Sequence, residues 1–170
     1  MSDAAPAWEV RPLEWGRFAV DGGNMFGILP KALWERLAPA DLKNRIRMAL
    51  RGLLIRRGDM VALVDCGCGD KLSDKMRAIY GLESPEGGAA GLLAPHGLTP
   101  SDVTHLIVTH LHFDHVGGAT VRVNGALVPT FPNATMVVQA AQLRAARHPT
   151  PLDKSAFVPD DYEPWADRGM

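Results

Sequence analysis

Leu106-Ile107-Val108-Thr109-His110-Leu111-His112-Phe113-Asp114-His115-Val116-Gly117-Gly118 gathers three histidines and an aspartate within six residues, directly behind an apolar run. The apolar run reads as a strand. In a strand, residues two apart share a face, so His110 and His112 are expected to hold their imidazoles side by side. Asp114 and His115 fall where the chain turns, with Gly117 and Gly118 permitting a tight bend, and can face the same cavity from another angle. Imidazole nitrogen and carboxylate oxygen are donors that zinc accepts, and about three protein ligands leave a position open for water. Two ions about 3.5 to 4 Å apart can share a hydroxide that attacks the substrate while the metals polarise its oxygen, which is metal-assisted hydrolysis. Asp114 could then also orient the hydroxide or carry its proton to the leaving group.

Working outward, Glu9 to Pro12 and Phe18 to Val20 read as short extended segments, followed by a loop over Asp21-Gly22-Gly23-Asn24. Lys31 to Leu37 carries Leu33, Trp34 and Leu37 at helical spacing behind Pro30, and Pro39 ends it. Arg47 to Arg56 and Met60 to Asp65 read as two strands around the turn Arg57-Gly58-Asp59. Asp70 to Tyr80 predicts a helix stopped by Gly81, and Glu83 to Gly91 a loop. Leu98 to Asp102 leads into the strand Val103 to Thr109, which delivers the histidines. A loop or hairpin follows, then the strand Ala134 to Val138 and the helix Ala140 to Arg147. This alternation predicts an α/β layered domain with a mixed sheet and flanking helices. The core spans about residues 8–147 of a single domain over residues 1–170, and the proline-rich and acidic stretch 148–170 is expected to be an irregular tail.

Composition narrows the function classes. A chain of 170 residues, 46% hydrophobic, can bury about 70% of its unfolded surface in one core. A formal charge of -1, with arginines scattered rather than massed, gives no footprint for nucleic acid. The most apolar stretch, Met48 to Val64, is broken by Arg51, Arg56, Arg57 and Asp59, short of the roughly 20 apolar residues of a membrane helix. The first ten residues lack a basic start and apolar stretch, so a cytoplasmic location is expected. Cys66 and Cys68, one residue apart, are too close for an unstrained disulfide and lack the usual zinc spacing. They read as small buried residues suited to a reducing compartment, with a thiol near the site as the alternative. His96, His105 and His148 stand alone and read as ordinary surface or core histidines. Asp65 ends an apolar strand and can either hold a ligand histidine in one tautomer or cap a loop.

His110-Leu111-His112-Phe113-Asp114-His115, with Val116-Gly117-Gly118 after it and Leu63-Val64-Asp65 upstream, resembles the signature of the metallo-β-lactamase-fold hydrolases. The order of the motif is similar to the dizinc branches: lactonases, glyoxalase II-like thioesterases and phosphodiesterases. Asp21-Gly22-Gly23-Asn24-Met25-Phe26-Gly27, with Pro30-Lys31 and Trp34, further resembles lactonase-like members. The resemblance implies that His110 and His112 bind a first zinc, that Asp114 and His115 bind a second, and that Met25 and Phe26 lie near the substrate mouth. Iron, manganese or cobalt could occupy the same donors. It also implies an αββα sandwich of two similar halves, of which this chain carries the N-terminal one, without the later histidines and bridging aspartate of the family. An uncovered sheet face and strand edge are then expected, together with a homodimer or a partner chain supplying the missing half. The expected function is a dizinc hydrolase of a lactone or other ester-type carbonyl, acting through a metal-bound hydroxide. The alternatives are a non-catalytic or partner-dependent fragment with an incomplete metal site and, among enzymes, a phosphodiesterase or thioesterase.

Overall fold

The structure is a computed structural model that describes residues 7–166 and 168. Its strands are β1 (Glu9–Asp21), β2 (Arg45–Arg57), β3 (Met60–Val64), β4 (His105–Ile107), β5 (Thr120–Val123), β6 (Ala126–Pro129) and β7 (Thr135–Val137). Its helices are α1 (Gly22–Phe26), α2 (Lys31–Trp34), α3 (Asp74–Tyr80), α4 (Gly88–Leu93), α5 (Phe113–Val116), α6 (Ala140–Arg147) and α7 (Pro159–Ala166). A mixed sheet runs in the order β1-β2-β3-β4-β7, and β5 and β6 form a separate hairpin. β1, β2 and β3 are antiparallel neighbours, whereas β3, β4 and β7 are parallel. Among the described residues no helix is long and apolar enough to cross a membrane.

Two segments expected at the start of the chain are one strand. β1 continues through a register shift between Glu14 and Arg17. The inward set steps from Leu13 and Trp15 to Phe18, the parity change that an inserted residue produces. Gly16 sits there at φ 124°, and a Cβ on it would lie 2.1 Å from the Glu83 carbonyl oxygen. Arg17 and Glu83 exchange two backbone hydrogen bonds, of 2.9 and 2.7 Å, across that approach. The hairpin of β2 and β3 turns at Gly58, as expected, and α3 ends on left-handed Gly81. The loop expected after β1 is instead α1, capped by the Asp21 carboxylate at 3.1 Å from the Asn24 amide. Part of the loop expected over Glu83 to Gly91 is α4, entered through left-handed Gly87 and anchored by buried Leu93.

Leu54, Leu63, Leu106 and Met136 are register neighbours across four strands and are almost completely buried. The opposite sheet face carries Leu53, Val64, Ile107 and Val137 in a second register row. Leu53, Ile107 and Val137 there remain 37%, 37% and 47% exposed, so this apolar row is uncovered in the single chain.

Among the described residues, the stretch after residue 147, expected to be an irregular tail, contains a packed helix. α7 buries Asp161, Tyr162 and Trp165, and the Trp165 Nε1–H donates to the Ala119 carbonyl at 3.0 Å. Pro164 lies inside this helix and cannot donate to the Asp160 carbonyl four residues earlier. The buried Thr120 hydroxyl takes over that acceptor at 2.7 Å, so the carbonyl does not go unpaired.

Candidate metal centre

β3 and β4 run in parallel and end level, Val64 opposite Ile107, so the segments that follow them emerge side by side. Carboxyl ends of parallel strands are where α/β sheets place their ligands. The strand stops at Ile107, before the histidines. His110 and His112 therefore do not owe their neighbourhood to strand alternation: they lie in the loop between β4 and α5, with His112 at the helix N-cap. The His112 carbonyl accepts from the backbone amides of His115 and Val116 at 2.9 and 3.0 Å, which closes the first turn of α5. Ring centroids of His110 and His112 are 4.6 Å apart, and those of His110 and His115 are 4.0 Å apart. His115 Nε2 lies 3.4 Å from Asp114 Oδ2. The four sequence-selected side chains thus lie along the β4–α5 loop and the helix it enters, with Asp114 and His115 in α5 rather than at the expected turn.

Asp65 is the hub of this arrangement. It is 6% exposed and adopts a left-handed φ of 56°. Its carboxylate accepts from the Thr109 amide at 2.8 Å, from the Thr109 hydroxyl at 2.8 Å and from His115 Nδ1 at 2.8 Å. One side chain therefore ties the first and last residues of the histidine loop to the end of β3. Burial disfavours the Asp65 carboxylate, but the bonds from His115 and Thr109 outweigh it and hold its pKa below the ordinary value. Burial likewise opposes charge on His115, and the bond to Asp65 and the charge of Asp114 overcome it, raising that imidazole. His110 is lowered, by burial first and then by the neighbouring His115 and His112.

Gly117 and Gly118 serve a purpose different from the expected bend, since neither has a positive φ. A Cβ on Gly118 would lie 2.1 Å from the Cys66 carbonyl oxygen, and one on Gly117 would lie 2.3 Å from that of Cys68. The glycine pair lets the loop after β3 press against the turn after α5, and the Cys66 amide donates to the His115 carbonyl at 2.7 Å across the same contact. Gly118→Ala is expected to lower folding stability by about 3 kcal/mol, the upper end for overpacking against rigid backbone. Urea denaturation checks it, and a loss under about 0.5 kcal/mol would show that the contact yields freely.

Cys66 and Cys68 are free and buried, and burial pushes both thiols far up, which keeps them protonated and poor ligands. Met25 and Phe26 lie in α1, where Met25 is half-exposed and Phe26 stacks on Trp34 at 4.8 Å. The Tyr80 ring lies 5.0 Å from Phe113 at the start of α5. Phe157 meets the His112 ring edge-on at 4.8 Å. Neither aromatic has a spacing that marks it in the sequence. His105 bonds its neighbour Thr104, and His148 ends α6. A cavity of about 470 Å³ opens beside Trp15, Cys66, Leu82 and Thr130, and none of the four candidate ligands lines it.

The donor set suits a borderline divalent ion in kind, being three imidazoles and a carboxylate. In arrangement it is open: among the described residues no group of three or more His, Cys, Asp or Glu side chains is placed so as to hold a metal ion. The His110 ring lies nearer His115 than His112, and Asp114 touches His115, so the four side chains are neighbours without enclosing a site.

The chain is similar to several known proteins. A probable metallo-hydrolase of Mycobacterium tuberculosis is 38% identical over 140 residues, covering 74% of this chain and 42% of that protein. An N-acyl homoserine lactonase of a Bacillus species is 38% identical over 64 residues, covering 38% of this chain and 22% of the lactonase. The crystal structure of a probable metal-dependent hydrolase from Staphylococcus aureus superposes with a TM-score of 0.85 at 28% identity, covering 97% of this chain and 58% of that one. The chain thus spans less than half the length of the curated relatives it matches. The profile of the Metallo-beta-lactamase superfamily matches residues 53–157, from within β2 through the histidine loop to Phe157, and with Asp65 and the four candidate ligands inside that span the chain belongs to this superfamily.

Proposed function

We propose that this chain carries the histidine-bearing part of a metal-dependent hydrolase, acting on a lactone or other ester-type carbonyl with zinc as its metal. The observation that carries the reading is the hydrogen bond from His115 Nδ1 to buried Asp65. It leaves Nε2 of His115 as the donor nitrogen beside Asp114, in the short helix that follows the loop holding His110 and His112. An imidazole anchored through one nitrogen to a carboxylate is the usual state of a metal-ligating histidine. In this reading His110 and His112 hold one ion, and Asp114 and His115 hold a second.

When bound, such ions supply the Lewis acidity that polarises a carbonyl and acidifies water. The chain's own residues do the rest. Asp65 fixes the orientation of His115, and Phe157 supports the ring of His112 from the α7 side. Asp114 takes the proton of the attacking water as the new carbon–oxygen bond forms, and returns it to the oxygen that leaves as the ester bond breaks. A cytoplasmic location belongs to the same reading.

A second reading is favoured by the open donor arrangement: a centre completed only when further polypeptide covers the apolar row of Leu53, Ile107 and Val137. Two measurements separate the readings: metal per chain beside oligomeric size, and turnover of a lactone, a thioester and a bis-aryl phosphate. Lactone turnover removed by chelation, and cut at least 10²-fold in His112→Ala, is the expected result. No turnover of any of the three by zinc-loaded chain would overturn the enzyme reading for this chain by itself. Preference for the phosphate would replace the carbonyl substrate.

A further inference from the structure

Thr109 stands between Asp65 and His110. Its amide is held by Asp65 Oδ1 at 2.8 Å, and its hydroxyl donates to Asp65 Oδ2 at 2.8 Å. The same hydroxyl oxygen lies 3.1 Å from His110 Nδ1. A hydroxyl has one proton and an ionised carboxylate has none to give. With that proton committed to Asp65, Thr109 can offer His110 only a lone pair, and the contact requires a proton on His110 Nδ1.

We infer that Thr109 is a positioning residue that extends the control of Asp65 to His110. One carboxylate then sets two tautomers, His115 directly and His110 through the Thr109 hydroxyl, and leaves Nε2 of both rings as the free donors. The consequence for metal binding rests on the reading of His110 as a ligand given above. The tautomer itself is a property of the metal-free chain.

The chain contains its own control. Thr104 donates its hydroxyl to the Val61 carbonyl at 2.9 Å and lies 2.9 Å from Nδ1 of the next residue, His105. The same reasoning places a proton on Nδ1 there, in a histidine on β4 that lies outside the cluster.

Long-range proton–nitrogen correlation spectra of the metal-free, nitrogen-15-labelled chain, recorded with the imidazoles neutral, read each tautomer. In the wild type His110 is expected as the Nδ1–H form. Thr109→Val removes the hydroxyl at nearly constant shape and is expected to move His110 toward the Nε2–H form while His105 stays unchanged. Thr109→Ser restores the wild-type pattern. Zinc affinity, measured against a competing chelator, should fall about 10-fold in Thr109→Val and recover in Thr109→Ser, a difference that a purely structural loss would not return. An Nε2–H form of His110 in the wild type, or an unchanged tautomer in Thr109→Val, overturns the inference. Should Thr109→Val not fold, the wild-type spectrum decides alone. A chain with the expected tautomers that binds no zinc would instead overturn the metal reading and leave this one standing.

Discussion

Lys71→Met is expected to cost about 3 to 5 kcal/mol of folding stability, the range for breaking a buried ion pair on one side. The Lys71 ammonium donates to the carbonyls of Gly117 and Thr120 and lies 3.0 Å from Asp161 Oδ1, with side chains 6% and 4% exposed. It joins the loop after β3, the turn after α5 and α7 at one point. Methionine keeps the stem and removes all three contacts, leaving Asp161 buried without its counter-charge. Burial pushes the Asp161 carboxyl from 3.8 up to about 6, with the Lys71 charge working against that rise. A pKa raised on folding means that the stability Asp161 contributes is fully present below 3.8 and is lost as pH climbs through about 6. Without Lys71 the carboxyl rises further, and only its neutral form is tolerated. The variant should therefore fall furthest behind the wild type above about pH 6 and approach it near pH 5. Urea titrations at both pH values test this, and an equal loss at both would assign the whole effect to the two carbonyl contacts. Adding Asp161→Leu should recover much of the loss, because an apolar replacement leaves no buried charge unpaired.

How much of this molecule the sequence discloses depends on where the deciding interactions lie. The hairpin of β2 and β3 and the helix α6 are legible because their signals are local: apolar alternation around Gly58, and a short run of good helix formers. The histidine loop is legible through density alone, and the strand argument that seemed to align His110 and His112 reaches the right neighbours for a different reason. Their rings meet in the segment between β4 and α5, at the N-cap end of that helix. α7 is illegible because Pro164 breaks the helical pattern, and the group that repairs the break is the hydroxyl of Thr120, forty residues away. The pairing of Asp65 with His115, fifty residues apart, is suggested by a carboxylate at a strand end, but nothing local reveals that Thr109 shares it. Phe157 and Tyr80 meet His112 and Phe113 only through the tertiary packing of their segments.

Asp65→Asn is the second large effect, expected to cost about 3 kcal/mol although the side chain keeps its shape. Asparagine tolerates the left-handed backbone at φ 56°, so strain does not enter. The loss comes from counting donors. Three point at the Asp65 carboxylate: the Thr109 amide, the Thr109 hydroxyl and the His115 Nδ1–H. An amide offers one acceptor oxygen and sets an NH₂ against whatever faces its other end. Either the Thr109 amide loses its partner, or the hydroxyl and the imidazole do, and each buried donor left unmade costs about 1 to 3 kcal/mol. The pH dependence follows from both partners. The Asp65 pKa is lowered on folding, so its contribution is present above 3.8 and is lost as pH falls through the still lower folded value. The His115 pKa is raised, so its contribution is fully present below 6.5 and is lost as pH rises through the higher folded value. The gap between wild type and Asp65→Asn, measured on metal-free protein, should therefore be widest between 3.8 and 6.5 and narrow on both sides. A gap that stays constant from acid to alkaline pH would mean that the neutral hydrogen bonds carry the whole effect. A gap below about 1 kcal/mol would remove Asp65 as the anchor of the histidine loop.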